Sequence, residues 1–78
     1  MKFLHYCRHK TAGWEGVVYE DDEGKCHVTN GIGIWEMNDR RRSSLETVPV
    51  IDMEKLRAYA EKYCPYDKVL SLLQAVEV

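Results

Sequence analysis

The dipeptide Asn30-Gly31 constrains the fold of this chain more than any other feature. It separates two runs rich in apolar residues, 25–29 (KCHVT) and 32–37 (IGIWEM). Asn-Gly supplies the positive φ values of a type I′ turn, which joins antiparallel strands in a tight hairpin. Two earlier runs, 2–8 (KFLHYCR) and 14–20 (WEGVVYE), are followed by short turn segments. The first half is therefore predicted to form a four-stranded antiparallel meander.

The second half of the chain has a different pattern. Residues 38–47 (NDRRRSSLET) are polar and show no periodicity, so they are predicted to form a loop. Residues 48–51 (VPVI) are predicted to be extended, because a proline disfavours helix at the residue before it. Asp52 is predicted to cap a helix that ends near Cys64, since Pro65 cannot continue it.

A second helix is predicted from about Tyr66 or Asp67, although the last residues, 74–78 (QAVEV), also suit a short strand. The expected fold is α+β: a four-stranded antiparallel meander followed by two C-terminal helices (ββββαα). Residues 1–78 are expected to form a single small domain.

Symmetric turns would place residue 6 opposite 17, residue 17 opposite 28, and residue 26 opposite 35. One face would then form the core, with Leu4, Tyr6, Val17, Tyr19, Cys26, Val28, Trp35 and Met37. The other face is also mostly apolar and would carry Phe3, His5, Cys7, Trp14, Val18, His27, Ile32 and Ile34. Two short helices can cover only one side, so the second face is expected to bind a partner or a second copy. The alternative is that the helices divide between the two faces.

Composition excludes several classes of protein. The chain has 78 residues and a formal charge of −2, which excludes a strongly basic nucleic-acid binder and a strongly acidic DNA mimic. Its three cysteines cannot all pair, which favours reduced thiols and a cytoplasmic location. An N-terminal secretory signal and a membrane-spanning segment are not expected.

The alternation of His5, Cys7 and His9 raises two chemical hypotheses. These side chains share a strand face, so they could bind zinc with His27, but no Cys-x-x-Cys spacing accompanies them. A catalytic cysteine would need an oriented base and a pocket, and neighbours at i and i+2 run side by side. An ordinary strand is the simpler interpretation. We therefore expect no catalytic residue, no metal ligand and no cofactor, with zinc binding kept as an alternative.

The run Arg40-Arg41-Arg42 could grip phosphates or an acidic protein surface, with Lys10 as a further cation. A solvated loop is the simpler interpretation, because short charge runs usually face water. No aromatic residue is interleaved with the arginines, as stacking on bases would require. Trp14 is the best single candidate for an interface hot spot.

The opening third of the chain carries Met1-Lys2-Phe3-Leu4, Tyr6 and Val17-Val18-Tyr19-Glu20 before a turn that reaches Gly24-Lys25. In these residues it resembles small phage-encoded type I anti-CRISPR proteins. The resemblance implies an α+β inhibitor without catalytic residues. Such an inhibitor docks on a multi-subunit CRISPR surveillance complex and blocks DNA recognition or nuclease recruitment. Tyr6 and Tyr19 occupy the matching positions.

The sequence therefore predicts a small cytoplasmic, non-enzymatic protein that acts by docking on a macromolecular partner. The expected partner is a protein or a multi-subunit complex, and a homodimer stays open. A nucleic-acid-associated regulator that uses the arginine run is the second hypothesis. The predicted partner-binding residues are His5, Trp14, His27, Tyr6, Tyr19, Arg40, Arg41 and Arg42.

Overall fold

The protein, seen in a computed structural model that describes residues 2–63, contains a five-stranded antiparallel sheet and two helices. The strands are β1 (Lys2–His9), β2 (Glu15–Glu20), β3 (Cys26–Thr29), β4 (Ile34–Glu36) and β5 (Leu45–Val48). The helices are α1 (Asp39–Ser44) and α2 (Met53–Tyr63). The strands lie in the order β4-β3-β2-β1-β5, so β2 is central and the last strand lies beside the first.

The predicted order of elements is wrong, although the α+β character with an antiparallel sheet is right. The observed order is ββββαβα, because the predicted loop 38–47 forms α1 and most of β5. The side-chain oxygen of Asn38 caps α1 by accepting the N–H of Arg41 at 2.8 Å. β5 then pairs with β1. The predicted second C-terminal helix and the alternative strand 74–78 lie outside the described residues.

The β3–β4 hairpin is confirmed, but its predicted turn type is wrong. The loop holds residues 30–33, and Gly31, at φ 92°, alone among them has a positive φ. The Asn30 side-chain oxygen accepts the N–H of Ile32 at 3.0 Å, which organises the wider loop. A Cβ on Gly31 would lie 2.5 Å from the carbonyl oxygen of Leu56 in α2. The loop therefore takes the shape that lets α2 approach it closely.

The register explains which predicted faces were wrong. Tyr6 lies opposite Val17, as predicted. However, Val18 lies opposite Val28, one residue away from the predicted pairing, because the β2–β3 turn holds residues 21–25. A one-residue slip moves every side chain to the other face. Relative to β2 and to the part of β1 from His5 onward, β3 and β4 therefore present the opposite side chains to those predicted. A register shift between Phe3 and His5 also moves Leu4 from the predicted core face to the side of Cys7 and Val18.

The α2 face of the sheet is the one on which α2 packs. Its buried cluster consists of Val17, Tyr19, Val48, Ile51, Leu56 and Ala60. Asp52 caps α2 as predicted, since its carboxylate accepts the N–H of Lys55 at 3.1 Å. The side chains of Tyr6 and Ile34 pack against the same cluster.

The tryptophan face is the opposite side of the sheet. Its buried residues are Cys7, Val18 and Val28, and the residues packed against them are Leu4, Trp14, Trp35, Met37 and Leu45. Met37 and Leu45 flank α1 in sequence, so their packing carries α1 across this face as it crosses from β4 to β5. The two described helices therefore divide between the faces, and the predicted open face is partly covered. Within residues 2–63, neither helix has the length and apolar character needed to cross a bilayer.

Candidate functional site: a groove between α1 and two tryptophans

A cavity of about 480 Å³ opens on the tryptophan face, between α1 and the sheet. We call it the groove. The described residues that line it are His9, Trp14, Val28, Trp35, Asn38, Arg40, Arg41, Ser44 and Leu45. Its size lies within the range that protein cavities use for small ligands or for part of a larger one.

Two stacked indoles form the aromatic wall of the groove. The ring centroids of Trp14 and Trp35 lie 6.0 Å apart with an interplanar angle of 24°. Each ring rests on bare backbone: a Cβ would lie 3.1 Å from the Trp14 ring at Gly16 and 3.1 Å from the Trp35 ring at Gly33. The imidazole of His9 packs beside them in a tilted arrangement, with its centroid 5.4 Å from that of Trp14 and an interplanar angle of 42°. Glycine at these two positions therefore lets flat, rigid rings lie close to the backbone.

Two arginines from α1 also line the groove. Consecutive helical residues are about 100° apart around the axis. Arg40 and Arg41 line the groove, whereas Arg42 lines a separate cavity. A guanidinium N–H of Arg41 donates to the carbonyl of Glu36 at 2.9 Å, which anchors that side chain at the groove edge. Lys10 holds the other end of α1, since its ammonium donates to the carbonyl of Ser43 at 2.9 Å.

Internal hydrogen bonds occupy the acceptors of the groove. The side-chain oxygen of Asn38 accepts the backbone N–H of Arg41 as the N-cap of α1. Nδ1 of His9 accepts the N–H groups of Thr11 at 3.2 Å and Ala12 at 2.9 Å. The neutral ring then carries its proton on Nε2, as assigned from these hydrogen bonds. The groups left for a ligand are mainly donors: guanidinium, indole and imidazole N–H.

The charge of the groove is also one-sided. It has two arginines, Arg40 and Arg41, and none of the described residues that line it is acidic. Two other cavities lined by described residues contain charges of both signs: one of about 340 Å³ has Arg42 and Glu46, and one of about 530 Å³ has Lys55 with Glu15 and Asp52. An anionic ligand therefore suits the groove best among these three cavities.

The structure separates the residues predicted to share one binding face. Trp14 lies in the groove, and His5 lies in the smaller cavity beside Arg42. His27 lies on the α2 face with Tyr19, whose ring it stacks on at 5.4 Å. The side chain of Tyr19 is buried and Tyr6 is half-buried against the core. The predicted combination of His5, Trp14 and His27 on one surface is therefore wrong, because the β2–β3 register differs.

His27 has a structural partner in the β2–β3 turn. Its Nε2–H donates to the carboxylate of Asp21 at 2.7 Å. That hydrogen bond, with the backbone N–H groups of Lys25 and Glu23, lowers the pKa of Asp21 from 3.8 to about 2. The same carboxylate thus organises the turn through three donors, one of which is the His27 ring.

Cys7 is unsuited to the chemistry considered from its sequence context. Its side chain is fully buried, and burial raises the pKa of the thiol from 9.0 to about 11, against a smaller opposing effect of the Gly16 backbone hydrogen bond. The thiolate, which is the nucleophile and the metal ligand, is therefore disfavoured. Among residues 2–63, no three His, Cys, Asp or Glu side chains lie close enough to hold a metal ion.

Trp35 and Asn38 line the groove but are not among the residues predicted to bind a partner, since Trp35 is predicted to lie in the core. His9 enters the sequence analysis only through its alternation with His5 and Cys7. A signal for the aromatic wall is present in the sequence, since Trp14-x-Gly16 and Gly33-x-Trp35 each place an indole and a glycine on one strand face. No local signal brings these rings to α1, because β2, β4 and α1 meet only in the folded chain.

Comparison with known proteins returned no relative: no family model, curated protein or solved structure matches this chain. The resemblance to anti-CRISPR proteins therefore stays a prediction.

Proposed function

We propose that this protein is a non-enzymatic binding module that docks on an anionic macromolecular partner through the groove. One observation carries the proposal. Arg40 and Arg41 line the same cavity as two stacked indoles, and none of the described residues that line this cavity is acidic. The partner is expected to be larger than the groove, with an anionic part seated in it.

The residue types support a binding role. Tryptophan and arginine dominate the energetics of macromolecular interfaces. Tryptophan gives a large contact area with few rotatable bonds, and arginine gives several directed donors. Trp14 and Trp35 are half-buried, as is Arg41, so much of their conformational freedom is already lost before binding. Preorganisation of this kind lowers the entropy cost of association.

Two further observations fit the proposal. The buried thiol of Cys7 and the acceptor role of Nδ1 in His9 leave these groups with structural tasks instead of catalytic ones. Cys7 and Cys26 are both free thiols, which fits the proposed cytoplasmic, reducing location.

Affinity capture with charge-matched variants tests the proposal. The immobilised protein should retain its partner from a cell lysate, and Arg40→Gln/Arg41→Gln should lose it. The control Lys25→Gln/Lys55→Gln removes the same charge away from the groove and should retain the partner. Circular dichroism would establish that all three proteins fold. Equal retention by all three would contradict the proposal.

The resemblance to anti-CRISPR proteins implies a different partner, a CRISPR surveillance complex. The contacts with that complex would include Tyr6 and Tyr19. These residues lie on the α2 face, away from the groove. Because Tyr19 is buried, Tyr6→Phe is the milder test of that surface. Inhibition of a reconstituted surveillance complex by the wild-type protein, and its loss in that variant, would support it. Absence of inhibition would end this proposal.

A further inference from the structure

We infer that the partner of the groove is a single-stranded nucleic acid, with a base against the indoles and its phosphate against Arg40 and Arg41. The inference rests on the proposed function, since it names the partner of that same site. The arginine run has no aromatic residue interleaved with it in sequence, which counts against stacking on bases. Folding, however, brings Trp14 and Trp35 into the same cavity as the arginines.

The groove favours an anion that accepts several hydrogen bonds. The side-chain oxygen of Asn38 and Nδ1 of His9 are already used by backbone N–H groups. Arg40 and Arg41 provide fork-shaped guanidinium donors, which match the geometry of a phosphate. A cationic or acceptor-poor ligand would leave the remaining guanidinium N–H groups, beyond the one that Arg41 donates to Glu36, without an acceptor on the ligand.

The groove combines an anion site with an aromatic surface in one cavity. A nucleotide carries a flat ring and a phosphate as covalent neighbours. In an acidic peptide, by contrast, the aromatic group and the carboxylate belong to different residues. Stacking of bases on aromatic side chains, beside cations that follow the backbone, is the general mode of single-strand binding. About 480 Å³ is enough for one nucleotide unit.

Further cationic side chains lie beyond the groove. Lys10 lies at the C-terminal end of α1, where its ammonium contacts the carbonyl of Ser43. Arg42 lies in the neighbouring cavity, which shares Leu45 with the groove. Phosphates on either side of the bound nucleotide can therefore meet a cation. A duplex is disfavoured, because paired bases are stacked on both faces and do not reach a side-chain ring.

Intrinsic fluorescence offers a direct test, because the chain has two tryptophans and both line the groove. The probe is a single-stranded ten-nucleotide oligothymidylate, titrated between 50 and 200 mM salt. For about three neutralised phosphates, the slope of log K against log salt should be about −2, so affinity should fall roughly 20-fold over this range. The corresponding duplex should bind more weakly.

Variants locate the binding. Arg40→Gln/Arg41→Gln should weaken binding at least about tenfold and make the slope shallower by about 1.4, as loss of two phosphate contacts requires. The control Lys25→Gln/Lys55→Gln should leave the slope unchanged. Trp35→Phe keeps a ring in place and should bind more tightly than Trp35→Ala, with circular dichroism as the check on folding.

The outcomes separate this inference from the proposed function. Fluorescence quenching by hexaglutamate but not by the oligonucleotide would overturn the inference and make the partner an acidic protein. Absence of quenching by the oligonucleotide, with Arg40- and Arg41-dependent capture from lysate, would also overturn it and leave the proposed function standing. If neither quenching nor arginine-dependent capture occurs, both fail.

Discussion

At the scale of single residues, Gly31 is under two constraints at once. Its φ of 92° strains any residue with a Cβ, and that Cβ would lie 2.5 Å from the Leu56 carbonyl oxygen. Gly31→Ala should therefore lower the free energy of unfolding by more than about 2 kcal/mol, since strain and a backbone clash add. Urea denaturation would measure the loss.

Gly24 provides a matched control for this substitution. Its φ is 82°, but a Cβ there would meet nothing within 4 Å. Gly24→Ala should consequently cost only the backbone strain, about 1 kcal/mol. Equal losses for the two variants would mean that the approach of α2 to the β3–β4 loop is unimportant for stability.

The pair Asp21 and His27 predicts a pH dependence. The pKa of Asp21 is lowered from 3.8 to about 2 in the folded protein, first by the His27 hydrogen bond. A carboxyl group whose pKa is lower in the folded protein stabilises the fold at pH values above its unfolded-state pKa. This stabilisation is lost as the pH falls through the folded-state pKa. The stability advantage of wild type over Asp21→Asn should therefore shrink between about pH 4 and pH 2.

Denaturation midpoints of both proteins across this pH range would measure the effect. Glu23→Gln, in the same turn, controls for the loss of one negative charge. A constant difference between wild type and Asp21→Asn down to pH 2 would contradict the assigned hydrogen bond.

The two described cysteines should differ in reactivity. Cys7 is fully buried and its pKa is raised to about 11, whereas Cys26 is only half-buried. In a Cys64→Ser background, iodoacetamide at about pH 8 should modify Cys26 first and Cys7 only as the protein unfolds. Mass spectrometry of the digested protein would give both rates. Comparable rates under native conditions would show that the tryptophan face opens readily.

At the scale of elements, α1 depends on its cap and on its flanks. It has six residues and none of them is buried, so its own sequence contributes little stability. Asn38 supplies the cap, while Met37 and Leu45 pack on the tryptophan face at either end. These contacts hold the arginine side chains over the groove.

Asn38→Ala should therefore reduce stability by about 1 kcal/mol and also weaken groove binding, because the cap of α1 is lost. Asn38→Ser keeps a neutral capping oxygen and should restore most of both. Asn38→Asp keeps the cap but adds a negative charge beside Arg40 and Arg41, so it should restore stability without restoring binding of the oligonucleotide. Thermal denaturation and fluorescence titration measure the two effects separately. Parallel changes in all three variants would contradict this division.

The elements that sequence predicted well are those with strong local signals. The runs that became β1 to β4 carry apolar and aromatic residues between turn residues, and Asp52 precedes a helical face. The segment 38–47 has neither signal. It becomes α1 and most of β5 because its flanking residues find partners on β1 and on the tryptophan face. Such partners are distant in sequence, so no local pattern reports them.

At the scale of the whole molecule, the sheet order predicts unequal protection of the strands. β2 is central, and Val17 and Val18 are almost completely buried. Among the described elements, β4 has a neighbour on one side only and is three residues long. Amides of β2 should exchange with solvent only through global unfolding, whereas those of β4 should exchange through local opening.

Hydrogen exchange followed by NMR would compare the two strands in one experiment. β5, the other edge among the described strands, serves as an internal reference. Protection of β4 equal to that of β2 would show that another part of the chain, or a second copy, covers this edge.

Local sequence patterns predict strands β1 to β4, the cap of α2 and the residue types that suit binding. Strand alternation, turn residues and capping oxygens act over a few neighbouring positions, so they can be read without the fold. Which side chains share a face of the sheet depends on the folded chain. One additional residue in the β2–β3 turn moved His27 away from Trp14, and the crossover of α1 brought Arg40 and Arg41 to the indoles. Register and crossover depend on contacts between distant segments, which is why the groove exists only in the folded chain.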